Sequence, residues 1–463
     1  MRSLTTVAAI LVTGLFTPSS AAGNAPETKA RVLVISIDGL GYQAFQAFRH
    51  HAPVLDALAK QGWLGSAETI FPSMTWPSHA SLVTGCRPSK HGIIGNRVLL
   101  RSTGKVQHAS TVRYADAFKV QTLFDLAHAQ GLRSAAIFWP STREASAITF
   151  NIPEVYGQRK FDRWSSKAWL RALSKAGLPT HRLGKFSEDQ MFLQDTFARD
   201  AAIELMRSDP PELMMVHFLS VDSLGHSFGP SSRPYRWGLE LVDRYVGDLL
   251  AALKKHGIHS ETSVFIVSDH GFLTIRQRFD ADKLLHRAGY IKSLRALSRG
   301  PLHTVSNGHA LYVYFPKGAD AQMRRKVAQL FGKQAAIERV YFPRDYHRLS
   351  LPKPKGQPSA PDLIVLSRPD TVFGRIKKGE AILASKGVSG MHGYSPTHPE
   401  MRSLFIAAGP KFVQQEVAQN AAVRPNDVWL LENIDMAPTI ARLLGLKFNA
   451  PIDGHALNEL FEP

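Results

Sequence analysis

Cysteine is nearly absent from this chain of 463 residues, in which Cys86 is the only one. A single cysteine excludes an internal disulfide and any metal site built from several thiolates. Long apolar runs are also missing: outside the first 22 residues, none approaches the roughly 18 residues that a membrane-spanning helix requires. No internal repeat is visible. Apolar residues nevertheless make up 44% of the chain, which is typical of a globular protein with a sizeable core.

The N-terminus has the pattern of a secretory signal peptide. Arg2 precedes an apolar stretch, Val7–Phe16, and small residues follow. Ser20 and Ala22 suit the positions before a cleavage site, so we expect residues 1–22 to be removed. An exported chain without disulfides would suit the periplasm, and we expect a secreted, periplasmic protein.

Lysine and arginine outnumber aspartate and glutamate by 56 to 38, for a formal net charge of +18. Solubility or affinity for a membrane surface would account for this excess, and so would attraction of an anionic substrate. The basic residues are scattered, as at Arg324–Lys326 and Arg375–Lys378, and no single recognition helix collects them. We therefore expect a small anionic substrate and do not expect nucleic acid as the main partner.

Strand and helix patterns alternate along most of the chain, which predicts an α/β fold with a largely parallel sheet flanked by helices. The predicted strands are Arg31–Ile37, Ser134–Phe138, Leu213–Leu219, Ser263–Val267, Ala310–Phe315, Asp362–Leu366 and Leu404–Ala408. The predicted helices are Pro53–Gln61, Pro77–Thr84, Thr122–Gln130, Gln194–Ser208, Tyr235–His256, Ala321–Gly332 and Ile434–Leu443.

Two segments interrupt this alternation. Residues 151–193 are polar and aromatic with weak periodicity, whereas residues 272–389 contain strands and a helix of their own. We interpret the second segment as a smaller cap domain inserted into a catalytic core made of residues 23–271 and 390–463. We expect the cap to lie near the site and to influence the choice of substrate.

Acids and histidines follow several predicted strands. Asp38, Asp269 and His270 come directly after apolar strands, and Asp222 and His226 follow another, with Gly225 allowing a tight loop. Because ligands bind beyond the carboxyl ends of strands in open α/β sheets, these side chains should meet. Each of them alone would be ordinary as a turn, cap or core residue, but together they suit zinc or a similar ion.

Thr75 is the candidate nucleophile. It lies just before Pro77, a residue typical of the first turn of a helix, so Thr75 should face a helix N-terminus that favours phosphate oxygens. A threonine hydroxyl is a weak nucleophile at neutral pH, and coordination to a metal ion would activate it. A helix-capping role would explain the same local pattern.

Seven motifs in fixed order make this chain resemble the nucleotide pyrophosphatase/phosphodiesterase family of the alkaline phosphatase superfamily, from about residue 31 to about residue 445. They are Ile37-Asp38-Gly39, Thr75-Trp-Pro-Ser-His79, Ser81-Leu-Val-Thr-Gly85, Pro88-Ser-Lys-His-Gly-Ile-Ile-Gly-Asn96, Asp222-x-x-Gly-His226, Ser268-Asp-His-Gly271 and His392-Gly-Tyr394.

The resemblance implies an alkaline-phosphatase-like core that holds two Zn²⁺ ions. Asp38, Thr75, Asp269 and His270 would hold one ion, and Asp222, His226 and His392 would hold the other. Asn96 would donate a hydrogen bond to a phosphate oxygen. Thr75 would attack phosphorus and form a phospho-threonine intermediate, which water then hydrolyses.

The chain departs from the family pattern beside the nucleophile and near the second metal. Trp76 either stacks on a flat group of the substrate or belongs to the core. His217 stands where nucleotide-binding members often have tyrosine, which weakens a nucleotide assignment without, we expect, affecting the metal site. Cys86 follows Thr84-Gly85 and does not precede it as the reactive cysteine of sulfatases does, so we interpret it as a structural thiol.

Three functions remain open at this point. The first is a metal-dependent phosphodiesterase or nucleotide pyrophosphatase, with nucleotides, lipid head groups and other diesters as possible substrates. The second is a phosphomonoesterase or phosphonate hydrolase with the same site. The third is a catalytically inactive protein that binds phosphorylated ligands. The oligomeric state is not predicted.

Overall fold

The computed structural model describes residues 30–184, 190–291, 302–377, 379–413 and 429–461. The predicted signal peptide, residues 1–22, lies outside the described residues. Within the described ranges, no helix combines the length and the apolar character needed to cross a bilayer.

The strands and helices of the described residues alternate as the apolar patterns predict. The strands are β1 (Arg31–Ile37), β2 (Trp63–Glu68), β3 (Arg97–Leu100), β4 (Lys105–His108), β5 (Ser134–Trp139), β6 (Phe150–Pro153), β7 (Leu213–Phe218), β8 (Thr262–Val267), β9 (Leu273–Phe279), β10 (His303–Asn307), β11 (Ala310–Tyr314), β12 (Ile337–Tyr341), β13 (Leu363–Ser367), β14 (Thr371–Phe373), β15 (Ile382–Met391), β16 (Ser403–Ala408) and β17 (Trp429–Glu432). The helices are α1 (Tyr42–Phe48), α2 (Pro53–Gln61), α3 (Thr75–Thr84), α4 (Pro88–His91), α5 (Tyr114–Ala117), α6 (Leu123–Ala129), α7 (Gln158–Trp164), α8 (Lys167–Lys175), α9 (Met191–Ser208), α10 (Ser220–Phe228), α11 (Arg233–Lys255), α12 (Ala281–Arg287), α13 (Ala321–Gly332) and α14 (Met436–Leu443).

The main sheet has the strand order β17-β2-β16-β8-β1-β7-β5-β6. Strands β8, β1, β7, β5 and β6 run parallel, and β16 pairs antiparallel with both β8 and β2. The predicted, largely parallel sheet is therefore confirmed. Each strand predicted from its apolar run is present, with ends that shift by a residue or two.

Helices cover both faces of this sheet because the central strands are apolar on both sides. Alternate residues of β1 enter different cores. Leu33 and Ile35 pack with α2, α9 and α11, whereas Val32 and Val34 pack with α3, α6 and α14. This burial holds β1 rigidly at the centre of the sheet, so the residue that follows it is held in place as well.

Residues 272–389 contribute a second, antiparallel sheet with the order β10-β11-β13-β12. Its apolar side packs with α12 and α13. The two ends of this segment lie side by side, because β9 pairs antiparallel with β15 and Leu273 lies opposite Met391. Strand β15 runs through the predicted boundary at residues 389 and 390, and the division itself remains a prediction.

Helices occur in two places where the sequence indicates less order. The segment 151–193, predicted to have weak periodicity, contains α7, α8 and the beginning of α9. The Asp222–His226 motif, expected in a tight loop, lies within helix α10. Gly225 is required there for close packing, because a Cβ at this position would lie 2.9 Å from the ring of Phe272.

Asp195 of α9 fixes the start of α10. Its buried carboxylate accepts hydrogen bonds from the Leu219 amide at 2.8 Å and the Ser220 amide at 2.9 Å. These two amides lie at the start of α10, where backbone N–H groups find no acceptor within the helix. Asp195 thus anchors the helix that bears Asp222 and His226.

We expect Asp195→Ala to lower the free energy of unfolding by about 1–3 kcal/mol, because two buried amides lose their acceptor. Urea denaturation measures the change. Asp200→Ala, on the more exposed side of the same helix, is the control and should stay within about 0.5 kcal/mol of the parent. Equal midpoints for the Asp195→Ala variant and the parent would contradict this role.

Candidate metal centre and nucleophile

Three neighbouring strands of the main sheet deliver the acids of the site. Asp38 follows β1, Asp269 follows β8, and Asp222 lies in the first turn of α10 after β7. Because β8, β1 and β7 are parallel neighbours, their carboxyl ends meet at one edge of the sheet. Asp38 is 2% exposed and Asp269 is fully buried, so both carboxyl groups lie in a region from which water is largely excluded.

Asp38, Asp269 and His270 form the first group of candidate metal ligands. Their ligand atoms all lie within 4.8 Å of one another. His270 Nε2 is 3.4 Å from Asp38 Oδ1 and 3.1 Å from Asp269 Oδ2. The other oxygen of Asp269 accepts hydrogen bonds from the amides of Gly39 and His270, which fixes the orientation of the carboxylate.

Asp222, His226 and His392 come together in a second group. The Nε2 atoms of His226 and His392 are 3.2 Å apart, and Asp222 Oδ1 is 3.5 Å and 3.8 Å from them, respectively. His270 connects the two groups because its ring stacks on that of His392 at 3.6 Å between centroids. Asp222, His270 and His392 also meet within 4.8 Å. The structure therefore brings together all six predicted carboxylate and imidazole ligands.

The hydrogen bonds of the three histidines fit bound cations. The Nδ1 atoms of His270, His226 and His392 face the carbonyl oxygens of Gly271, Gly390 and Ser73 at 3.2, 3.2 and 2.9 Å. A carbonyl only accepts, so each Nδ1 carries a proton, and in the neutral imidazole the Nε2 then presents a lone pair. Such carbonyl contacts orient metal-bound histidines in general.

Without a cation, these lone pairs would face one another and the neighbouring carboxylates. Asp38 Oδ1, Asp269 Oδ2 and His270 Nε2 are buried and have no hydrogen-bond partner among the described residues. Burial, with the charges of Asp222 and Glu154, raises the pKa of Asp38 well above its ordinary value, and burial next to Asp38 does the same for the pKa of Asp269. Burial lowers the pKa of His270 and His392. The residues present therefore fit divalent metal ions bound by oxygen and nitrogen.

Thr75 is the first residue of α3, whose residues are all buried. The helix cap is Met74, so the helix begins two residues before the predicted start at Pro77, and Thr75 is 5% exposed. Asn96 Oδ1 accepts a hydrogen bond from the Trp76 amide at 3.1 Å. Thr75, Asn96 and Trp76 line one cleft together with Asp38, Asp222, His226 and His392.

His217 lies inside the metal centre, which the sequence analysis did not anticipate. It is fully buried, with Nε2 3.1 Å from Asp38 Oδ2 and Nδ1 3.1 Å from the Phe138 carbonyl oxygen. This position therefore contacts a candidate metal ligand, and the assignment of the metal ligands themselves is unchanged. The strand register explains the contact: His217 lies opposite Ser36 in the pairing of β1 with β7, two residues before Asp38.

His79 is a second buried support that the sequence motif contained without an assigned role. Its Nδ1 faces the Thr75 carbonyl oxygen at 2.8 Å, and its Nε2 lies 2.9 Å from Ser36 Oγ. The imidazole therefore links the first turn of α3 to the carboxyl end of β1. This bridge fixes helix α3, which begins with the candidate nucleophile, relative to Asp38.

The cleft has a volume of about 670 Å³ and extends away from the candidate ligands. Trp76 is 3% exposed and contributes to both the core and the cleft wall, with its ring edge-on to His108 at 4.6 Å. Glu154 is buried in the same wall, and burial raises its pKa to about 7. Sequence reasoning missed several lining residues because they follow no motif: Arg97, His108, Glu154, Tyr156, Arg278 and Arg375.

Cys86 is buried, as expected of a structural thiol. It lies beyond the end of α3, while Thr75 begins that helix. Burial raises the pKa of its thiol, which disfavours the reactive thiolate.

The type I phosphodiesterase/nucleotide pyrophosphatase family model matches residues 32–395. The chain belongs to this family. Ectonucleotide pyrophosphatase/phosphodiesterase family member 3 from Mus musculus is 23% identical over 448 residues, which cover 93% of this chain and 44% of the relative. Family member 7 from Rattus norvegicus is also 23% identical, over 92% of this chain and 85% of the relative. The chain thus spans less than half the length of the mouse relative.

Solved structures of family members share the fold. Human ectonucleotide pyrophosphatase/phosphodiesterase 5 matches 94% of this chain and 100% of its own, with a TM-score of 0.66 and 18% identity. The murine protein, solved as an inactive threonine-to-alanine variant in complex with AMP, gives a TM-score of 0.66 and 19% identity. The expected family fold, a mostly parallel sheet flanked by helices, is therefore confirmed.

We expect His217→Ala to weaken metal binding about 10- to 100-fold, because Asp38 loses the partner that orients it. Titration of the metal-depleted protein with zinc, followed by calorimetry, measures the affinity. His91→Ala is the matched control, since His91 is equally buried but bonds to Ser81. Equal zinc affinity in the two variants would rule out a supporting role for His217.

Proposed function

We propose that this family member is a secreted, periplasmic phosphodiesterase or nucleotide pyrophosphatase that binds two zinc ions and forms a phospho-threonine intermediate. One observation carries the proposal: the six carboxylate and imidazole ligands come together, and four of them, Asp38, Asp222, His226 and His392, line the cleft that also contains Thr75 and Asn96. Asp38, Asp269 and His270 would hold one ion with Thr75, and Asp222, His226 and His392 would hold the other. Zinc so bound would lower the pKa of a hydroxyl and stabilise negative charge on phosphate oxygens.

The residues of the chain then have the following roles. The Thr75 hydroxyl releases its proton to solvent, and its oxygen attacks phosphorus while the bond to the leaving oxygen breaks on the opposite side and that oxygen takes up a proton. The Asn96 amide donates to a non-bridging phosphate oxygen. Water subsequently attacks phosphorus and releases a proton, while the bond to Thr75 Oγ1 breaks and this oxygen takes up a proton, which restores the hydroxyl. Both steps depend on positioning and charge stabilisation.

A nucleotide-like substrate is supported by two features. The murine relative was solved with AMP, and the cleft of this chain has aromatic walls formed by Trp76, His108 and Tyr156. His217, which stands where nucleotide-binding members often have tyrosine, is fully buried and contacts Asp38, so the aromatic contacts to a base would come from other residues. Export is supported by the N-terminal pattern and by relatives named as ectoenzymes and venom phosphodiesterases.

A phosphomonoesterase or phosphonate hydrolase is the second candidate, since the same nucleophile and ions would serve it. Monoesterases commonly place extra cations, usually an arginine or a third metal ion, on the dianion. Among the described residues, the candidate metal groups share the site at Asp38 and Asp222, and no separate third group of ligands lies beside it. Arg97, Arg278 and Arg375 line the cleft, however, and this candidate would use them as the extra cations. The inactive, ligand-binding alternative is disfavoured because nucleophile and ligands are all in place.

We expect Thr75→Ala to lower kcat on bis(p-nitrophenyl) phosphate at least ~1000-fold, because the nucleophile is lost. Metal analysis of the purified variant should still find about two zinc ions per chain, since the six other ligands remain. Thr84→Ala is the control: this threonine ends the same helix and bonds to the Ala80 carbonyl oxygen. Undiminished turnover by Thr75→Ala would refute the assignment.

Reaction type is tested by comparing bis(p-nitrophenyl) phosphate with p-nitrophenyl phosphate, which share their leaving group. We expect kcat/KM to favour the diester at least about tenfold, because the described residues contain no separate third group of metal ligands to hold the extra charge of the monoester. A preference for the monoester would favour the second candidate.

A further inference from the structure

Asn307 connects the second sheet to the candidate active site. It is the last residue of β10 and is completely buried. Its side-chain amide pairs with the backbone of Arg97: Oδ1 accepts from the Arg97 amide at 3.0 Å, and Nδ2 donates to the Arg97 carbonyl oxygen at 3.0 Å. One side chain from the inserted segment thus forms hydrogen bonds with both the backbone N–H and the backbone carbonyl of Arg97, a residue of the predicted catalytic core.

Arg97 directly follows Asn96, the proposed phosphate donor. On its other side, Asn96 is held by the nucleophile helix through the hydrogen bond from the Trp76 amide to Oδ1. Because Oδ1 is engaged there, Nδ2 is the group left to donate to a phosphate oxygen. The Asn307 amide lies close enough that a Cβ on Gly95 would be 2.9 Å from its oxygen. Asn96 is therefore fixed between Thr75-Trp76 and Asn307.

The backbone at Asn307 also touches the metal centre. The His309 amide donates to the His392 carbonyl oxygen at 3.3 Å. A Cβ on Gly308 would lie 2.0 Å from that same oxygen, and a Cβ on Gly393 would lie 2.4 Å from the Asn307 carbonyl oxygen. Both glycines have positive φ, 67° and 87°, so neither position tolerates a side chain. The turn after β10 is thus packed directly against a candidate metal ligand.

We propose that Asn307 is a positioning residue for the reaction, which sets Asn96 at the correct distance from the metal centre at His392. This inference rests on the proposed function. Catalytic groups must be held within about 0.5 Å of their productive positions. The inserted segment accordingly forms part of the catalytic apparatus, in addition to any effect on the choice of substrate.

Asn307→Ala tests the proposal with bis(p-nitrophenyl) phosphate and the full-length, zinc-loaded protein. We expect kcat to fall about 10- to 100-fold, because a donor misplaced by about 1 Å loses most of its effect on the transition state. Zinc content should stay unchanged, because the His392 imidazole keeps its bond to Ser73. A purely structural residue would lower stability and leave kcat of the folded fraction unaffected.

A double-mutant cycle with Asn96→Ala shows the route by which Asn307 acts. If it acts through Asn96, Asn307→Ala should change kcat by less than about threefold in the Asn96→Ala background. Asn151→Ala is the matched control: Asn151 is also a buried asparagine whose Nδ2 donates to a backbone carbonyl, that of Thr142. It should show a comparable loss of stability with unchanged kcat. If Asn307→Ala does not fold, the isosteric Asn307→Asp replaces it in the same cycle.

The outcomes separate the two hypotheses. Unchanged kcat in Asn307→Ala, or a full additional loss in the Asn96→Ala background, overturns the positioning role while diester hydrolysis by the parent stands. Absence of diester hydrolysis in the zinc-loaded parent refutes the proposed function and this inference with it. Full activity of Asn96→Ala refutes the role of Asn96 and this inference, while diester hydrolysis by the parent stands. A fall in kcat that vanishes in the Asn96→Ala background supports the positioning role.

Discussion

The convergence of carboxylate oxygens and imidazole lone pairs at one buried point is the constraint on which the rest of the structure depends. Asp38 and Asp269 lie in the interior, and three histidines direct their Nε2 atoms towards one another and the acids, because carbonyl oxygens engage their Nδ1 atoms. Burial alone would make such an arrangement strongly unfavourable. Bound divalent cations would make the same arrangement favourable, because the carboxylates and imidazoles would then stabilise the positive charge of the ions. The fold is organised to supply these groups from many directions.

The main sheet supplies the acids, and segments distant in sequence supply their orientation. Ser73 and His392 are separated by 319 residues yet are joined by one hydrogen bond, and Gly390 holds His226 in the same way. His217 orients Asp38 from the neighbouring strand, and His79 joins the nucleophile helix to β1. Because each support comes from a different element, the geometry of the site depends on the packing of the whole molecule. The inserted segment belongs to this set through Asn307.

Much of this could be predicted from the sequence, for identifiable reasons. Buried strands such as Leu213–Phe218 and Thr262–Val267 are mostly apolar, so their positions and the acids after them are visible locally. The Asp222–His226 segment was expected in a loop because Gly225 suggests a turn. In the structure, the Phe272 ring packs so closely that it explains the glycine at position 225. The Asp195 carboxylate, which accepts a hydrogen bond from the Leu219 amide, explains why the helix starts where it does. Neither partner is detectable from the local pattern.

The sequence by itself determined the chemistry of this protein: which side chains are available as ligands and nucleophile, and in what order they follow strands and helices. These properties are local, because side-chain identity and apolar periodicity can be recognised within a short stretch of sequence. Only the tertiary structure decided which atoms meet, that His217 supports Asp38, that Glu154 and Tyr156 line the cleft, and that Asn307 holds the peptide next to Asn96. Those contacts depend on strand order, register and the packing of an insertion, which arise from the free energy of the whole folded chain.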